Sequence, residues 1–299
     1  MSEILQTFDL SKRFRKTVVL DRFNLTVSEG SVYGLLGQNG AGKSTAIKIL
    51  MNLIQPSDGR AEVFGHDSRH LSPQDFTQIG YVSENQELPE WMTVEYFMRY
   101  LAPFYPNWDA ARAEELLRQF NLPKDRKLKH LSRGMRMKAS LASSLAYKPK
   151  LIVLDEPFSG LDALVRDQFV ESLLESMEGA TVLISSHDLS EIENFASHVG
   201  YLDQGRLLFS EEMSSLTSRF REVQITRDGP MPQLPQWPSN WISAEHSGAV
   251  TRFVDTSFHE EDSIAQVHQL FQGPHEISVS PMPLRSIFVT LARTGQKGA

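Results

Sequence analysis

The stretch Gly37-Gln38-Asn39-Gly40-Ala41-Gly42-Lys43-Ser44 constrains this chain more than any other. An apolar run, Ser31 to Leu36, leads into it and reads as a short buried strand. The segment after it, Lys43 to Ile54, reads as a helix with Ile47, Leu50, Met51 and Ile54 on one face. Strand, glycine-rich turn and helix in that order aim successive backbone N–H groups at one point, where the helix dipole adds positive potential. The spacing is G-x-x-x-x-G-K-S, a phosphate cradle: Lys43 reaches terminal phosphates and the Ser44 hydroxyl ligates Mg²⁺.

A second segment supplies carboxylates. Leu151-Ile152-Val153-Leu154-Asp155-Glu156-Pro157 is a continuous apolar run ending in two acids, which suits a parallel strand buried on both faces. Beside a phosphate loop, Asp155 is placed to reach Mg²⁺ directly or through water. Glu156 points elsewhere and can polarise an attacking water.

Around these two anchors the chain alternates strands and helices, predicting an α/β core with a helical insertion. The N-terminal segments Ile4 to Phe14 and Val18 to Gly30 read as strands. From about Thr93 to Tyr147 three helices are expected, broken by Pro103, Pro106 and Pro123. Leu164 to Met177 reads as a helix, Ala180 to His187 as a second buried strand and Asp188 to His198 as a helix capped by Asp188 or Ser190. Val199 to Phe209 reads as a hairpin turning at Gln204-Gly205. Composition shifts after Phe220: Arg227 to Trp241 is Pro-rich and reads as irregular chain. Beyond it come a hairpin turning at Ser247-Gly248, a helix near 260–272, a strand near 275–281 and a last helix near 284–293. The expected domains are therefore 1–216, with a helical subdomain about 85–147, and a small α/β appendage, 217–299.

The 299 residues, 40% of them hydrophobic, are ample for a core. Net charge −7 offers no basic footprint, so no nucleic-acid partner is expected. With no cysteine, disulfides and thiol chemistry are excluded. The N-terminus lacks the apolar core of a signal peptide. No apolar run approaches the roughly 20 residues of a membrane helix. Work at a membrane would therefore go through a partner.

Taken together, these features resemble the nucleotide-binding subunit of an ABC transporter, over about Leu5 to Phe209. Phe14 stands where that family has an adenine-stacking aromatic. The loop follows, with Gly37, Asn39, Gly40, Ala41, Gly42, Lys43, Ser44 and Thr45 as ATP contacts. Then come Gly80-Tyr81-Val82-Ser83-Glu84 at the Gln-loop position, Leu131-Ser132-Arg133-Gly134-Met135 at the signature, Leu151 to Pro157, Ser159-Gly160-Leu161-Asp162, and Ile184-Ser185-Ser186-His187. The resemblance implies a P-loop ATPase core with an antiparallel β subdomain and a helical subdomain. It further implies a head-to-tail dimer, homodimeric or paired with a second ATPase subunit, with each ATP between the phosphate loop of one subunit and the signature of the other. Ser132, Arg133 and Gly134 would then act in trans, residues 159–162 would cross the interface, and His187 would meet the γ-phosphate or the attacking water.

Three residues, at two motifs, depart from the family pattern. Arg133 replaces a glycine of the usual signature and Met135 replaces its glutamine. At the Gln-loop position stands Glu84, which could ligate Mg²⁺ or orient water, with Gln86 two residues on as an alternative register. The single ATPase domain and short C-terminal extension are similar to ATPase subunits of ABC-2-type exporters. This implies a membrane-spanning permease on a separate chain, and a peripheral place at the cytoplasmic face of the membrane. Trp91, Tyr96, Phe97 and Tyr100 to Tyr105 are candidates either for the groove that receives that permease or for the core of the helical subdomain. Two alternatives stand beside the exporter reading: a soluble non-transport ABC ATPase, and a nucleotide-gated module of low turnover.

Overall fold

The computed structural model describes residues 2–84, 86–177, 179–227, 237–271 and 275–295, the last four as backbone only. The chain forms two compact units, Met1–Ser210 and Glu211–Ala299.

The first unit runs β1 (Glu3–Phe14), β2 (Thr17–Phe23), β3 (Thr26–Ser28), β4 (Val32–Leu36), α1 (Lys43–Leu50), β5 (Asp58–Val63), β6 (His66–Asp67), α2 (Pro73–Phe76), β7 (Ile79–Ser83), α3 (Val94–Leu101), α4 (Ala110–Gln119), α5 (Arg133–Leu145), β8 (Leu151–Asp155), α6 (Ala163–Ser176), β9 (Thr181–Ser186), β10 (His198–Asp203) and β11 (Arg206–Glu212), whose end passes into the second unit. Its central sheet has the order β11-β10-β4-β9-β8-β7. Strands β10, β4, β9, β8 and β7 pair in parallel. Every residue of β4, β8 and β9 is buried, as parallel strands covered on both faces require. A second, antiparallel sheet has the order β2-β1-β5-β6, with β3 on β1.

Helix α1 touches β2 and β5 of the antiparallel sheet and β8 of the parallel one. One apolar cluster joins all three layers, from Leu5, Leu20 and Val63 through Ile47, Ile49 and Leu50 to Leu35, Val153 and Leu183. Fully burying each such side chain is worth about 1.5–3 kcal/mol, so the helix behind the glycine loop is anchored from both sides. It is shorter than its periodicity predicts. Asn52 takes a left-handed φ of 53°, the Asn52 N–H donates to Ile49 O (3.0 Å) and the Leu53 N–H donates to Lys48 O (2.8 Å). This Schellman closure ends the helix at Leu50.

Helices α3, α4 and α5 form the expected helical insertion. The expected helix from Asp188 shrinks to one 3₁₀ turn, Leu189–Glu191, capped by Asp188. Its apolar residues are too sparse for a helical face: Ile192 and Ala196 are buried, and Ile192 packs where a Cβ on Gly34 of β4 would lie 2.1 Å from its Cδ1. The Gln204-Gly205 hairpin is as expected, both residues having positive φ.

The second unit comprises α7 (Met213–Arg219), β12 (Arg221–Thr226), β13 (Trp241–Ser247), β14 (Val250–Asp255), α8 (Glu260–Leu270), β15 (Glu276–Pro281) and α9 (Leu284–Gly295). Its antiparallel sheet has the order β13-β14-β12-β15. Val223, Ile225, Trp241, Phe253, Val267 and Phe271 form its core, with Trp241 stacked on Phe253 at 4.2 Å. Strand β12, central in this sheet, escaped the sequence reading because it abuts the Pro-rich stretch, most of which (228–236) lies outside the described residues. The β13–β14 turn falls at Gly248-Ala249, one residue later than expected.

Among the described residues no helix is long and apolar enough to cross a membrane.

Candidate active site

Strand register gathers the site. Leu36 of β4 pairs with Ser186 of β9, Ser185 of β9 with Asp155 of β8, and Asp155 with Ser83 of β7. The next residues, Gly37, His187, Glu156 and Glu84, therefore emerge along one edge of the sheet. The Gly37 N–H donates to Ser186 O (3.3 Å) and the Glu84 N–H to Asp155 O (3.1 Å), which fixes that edge.

The loop on this edge needs its glycines. A Cβ on Gly37 would stand 2.3 Å from Leu202 O, and Gly42, at φ 113°, would place one 2.7 Å from Val19 O. Helices α2 to α6 all start with a side-chain N-cap: Ser72, Thr93, Asp109, Ser132 and Asp162. Helix α1 starts at Gly42 with no side-chain cap and no acid in its first turn. Its first N–H groups, with the helix dipole, are thus left available to an anion.

The charged groups of this edge are organised around Lys43, which is only 5% exposed. Its ammonium donates to Gly37 O (2.6 Å) and Gln38 O (3.2 Å) and pairs with Glu156 Oε1 at 2.9 Å. The other oxygen of Glu156 meets His187 Nδ1 at 2.9 Å. That hydrogen bond raises the imidazole above its ordinary range, although partial burial opposes it. Glu156 holds a left-handed φ of 51°, a strained choice for a non-glycine residue. Its N–H donates to Ser185 Oγ at 2.9 Å, which secures the turn.

Beside this line, Asp155 is buried. Its Oδ1 accepts from Ser44 Oγ (2.8 Å) and Ser185 Oγ (2.8 Å). Burial pushes its carboxyl up from the usual range, and the two hydroxyls pull the other way. Ser44 Oγ and Asp155 Oδ1 are adjacent hard oxygen donors. They suit Mg²⁺, which prefers oxygen and takes few protein ligands when phosphate and water complete its shell.

A second cluster forms around the start of α5. Ser132 caps the helix, its Oγ accepting from the Met135 N–H (3.2 Å). A Cβ on Gly134 would lie 2.8 Å from Val165 Cγ1 of α6, so the glycine permits the close approach of the two helices. Asp162 caps α6 by accepting from the Val165 N–H (2.9 Å). Arg133 forms an ion pair with Glu84 and donates to Ser159 Oγ (3.3 Å). Gly160, at φ 68°, faces the same guanidinium.

The structure thus brings together Gly37 to Ser44, Asp155, Glu156 and His187 in one cluster, and Ser132, Arg133, Gly134 and Ser159 to Asp162 in another. Glu84 bridges them: its backbone bonds to Asp155, whereas its carboxylate is turned to Arg133 and not to Ser44 or Asp155. Phe14, at the end of β1, is 47% exposed and carries Lys12 Nζ 4.9 Å above its ring. Sequence reasoning missed Ser185, which holds both Asp155 and Glu156, and Glu191, which pairs with Ser186 Oγ beside His187. The signal for Ser185 was two serines closing a buried strand next to the histidine.

A glycine loop on an uncapped helix, with lysine, hydroxyl and paired acids converging at parallel strand ends, defines a phosphate-loop nucleotide-hydrolysing domain. Residues 20–159 match the family model described as ABC transporter. The chain is 32% identical over 227 residues to the bacitracin transport ATP-binding protein BcrA of Enterococcus faecalis, covering 74% of this chain and 73% of that protein. It is 35% identical over 220 residues to the uncharacterized ABC transporter ATP-binding protein YcbN of Bacillus subtilis, covering 72% and 70%. Among solved structures, an ATP-binding subunit of an ABC transporter aligns with TM-score 0.65 at 30% identity, over 72% of this chain and 92% of that one. The chain belongs to the ATP-binding subunits of ABC transporters, and is an ATPase of that family.

Proposed function

We propose that this chain energises an exporter whose membrane-spanning permease is a separate chain, and that it sits at the cytoplasmic face of the membrane through that partner. The relative named for bacitracin transport supports an export role in the ABC-2-type branch. The observation that carries the proposal is the line Lys43–Glu156–His187 beside Ser44–Asp155, on the edge from which the uncapped α1 starts.

Lys43 and the N–H groups of Gly40, Ala41, Gly42, Ser44 and Thr45 hold the phosphates, with Asn39 at the loop's tip. Ser44 and Asp155 would hold Mg²⁺, which would supply charge neutralisation at the terminal phosphates. Glu156 accepts a proton from the attacking water, and His187 orients the γ-phosphate or that water. Phe14 stacks on adenine. The signature segment 132–134 closes the site of a second ATPase subunit, identical or not, through Ser132 and Gly134, with Arg133 between them, and residues 159–162 line that interface. The unit 217–299 acts as an accessory domain.

Helix α3 and the short segments on either side of it fit the permease contact. Trp91, Tyr96, Tyr100 and Phe104 are exposed, and Tyr96, Tyr100 and Phe104 recur at helical spacing. The candidate aromatics divide between the two roles: Phe97 is buried, and Tyr105 stacks on Tyr147 at 3.9 Å.

The test is affinity capture of the chain from detergent-solubilised native membranes, with phosphate release measured on what is recovered. A polytopic membrane protein and steady release, lowered at least ~100-fold by Glu156→Gln, are expected. Ribosomal or DNA-associated proteins without a membrane protein would sink the exporter reading. Release indifferent to Glu156→Gln would sink the assignment of the general base.

A further inference from the structure

Arg133 and Glu84 are two of the three residues at which the chain departs from its family's pattern, and the structure puts them in contact. Arg133 is the first residue of α5. Its guanidinium pairs with Glu84 after β7, donates to Ser159 Oγ at 3.3 Å, and lies so close to Gly160 that a Cβ there would stand 2.6 Å from Nη1. A planar guanidinium with several donors holds two partners at once; the glycine usual at this position holds none. Glu84 is tethered at its other end, its N–H donating to Asp155 O (3.1 Å). A continuous path therefore runs from the strand end carrying the catalytic acids, through Glu84 and Arg133, to Ser159 and Gly160.

The pair is partly exposed, at 44% for Arg133 and 27% for Glu84. Ion pairs so placed add little to stability, so its consequence is orientation. Other charges face the same cavity of about 530 Å³: Glu87, Glu90 and Arg136 line it with Glu84 and Arg133. An arginine released from Glu84 would meet two further acids there, or project from the start of α5 beside Ser132. Held as it is, it lies along its own subunit.

We propose that Glu84 is a positioning residue for the signature segment: it holds Arg133 against Ser159 and Gly160 of the same subunit, leaving Ser132 and the first turn of α5 clear to engage the ATP bound by a second copy. The proposal rests on the reading that 132–134 and 159–162 form the face that closes on a second subunit.

The test is ATP-driven self-association of the full chain, followed by sedimentation with a slowly hydrolysed ATP analogue, in four variants: Glu84→Gln, Arg133→Gly, their double, and the exchange Glu84→Arg with Arg133→Glu. Glu84→Gln is expected to weaken association about tenfold when Arg133 is present and less than twofold when residue 133 is glycine, because the harm comes from the released arginine. The exchange is expected to recover most of the loss. A Glu84→Gln effect of equal size in both backgrounds would overturn the proposal, since it would place the carboxylate directly on metal or water. Failure of the exchange, in a variant whose unfolding midpoint matches the unsubstituted chain, would overturn it as well. A chain that does not associate with itself on ATP before any substitution overturns the underlying dimer reading, and is distinguished by appearing in the unsubstituted protein.

Discussion

At the residue scale, the site is a compromise between stability and use. Asp155 is buried at a cost that two hydroxyls only partly offset, and its carboxyl is raised accordingly. Removing its charge should therefore help the fold and harm the chemistry. Asp155→Asn is expected to raise the unfolding midpoint of the nucleotide-free chain by about 2–4 °C, as for about 1 kcal/mol in a chain of this size, while phosphate release falls at least ~100-fold. A lower midpoint in calorimetry would refute this. His187 makes stability depend on pH nearer neutrality. Its imidazole is raised from the ordinary value of 6.5 by the bond to Glu156. The stability from that pair is complete below about pH 6.5 and is lost as pH rises through the raised value. The midpoint difference between the unsubstituted chain and His187→Gln is expected to be largest at about pH 6, below the ordinary imidazole value, and to shrink as pH rises through the raised one; a difference independent of pH would show that the charged pair does not form. Most of these residues were legible in sequence, because Lys43, Ser44, Asp155 and Glu156 sit at spacings that only one geometry satisfies. Glu84 was legible only as a residue type: two positions 49 apart in sequence became partners through the fold, and no local pattern announces that.

At the element scale, caps decide where helices begin. Asp162 was read as an interface residue, and it is also the N-cap of α6. Asp162→Ala is expected to destabilise the chain by ~1 kcal/mol, and Asp162→Asn by much less. Equal losses in denaturant titration would show that charge and not capping matters. Long apolar runs such as Leu151–Asp155 were readable as buried strands because both faces are covered. The segment after His187 was not, since its few apolar residues serve a tertiary contact with Gly34 instead of a helical face. Strand β12 was hidden for a similar reason: its alternation of Val223 and Ile225 is short and borders a stretch of different composition.

At the scale of the whole molecule, the proposed role requires a docked partner. The exposed aromatic row that runs from α3 into the 3₁₀ turn after it, Ala102–Phe104, lies outside the hydrolytic cluster, so hydrolysis and the proposed docking should separate by mutation. Tyr100→Glu combined with Phe104→Ser is expected to reduce co-purification of the permease at least ~10-fold, the scale of losing one interface anchor. Phosphate release by the isolated chain should change less than about twofold, as for surface changes remote from chemistry. Unchanged co-purification would move the contact elsewhere. The α/β architecture was legible from alternation and motif order. The second sheet was not fully so, because antiparallel pairing is set by long-range register that composition does not reveal.

The contact between Lys43 and Glu156 has a consequence for discrimination. Before any nucleotide arrives, the ammonium already has an anion, delivered by its own chain at high effective concentration. A visiting anion must outcompete it. Inorganic phosphate or sulfate brings few contacts to that contest; a triphosphate brings many. The carboxylate that pairs with the lysine in the meantime is the one proposed as the general base. On that proposal, the arrival of a full triphosphate, and not of any smaller anion, is the event that arms it.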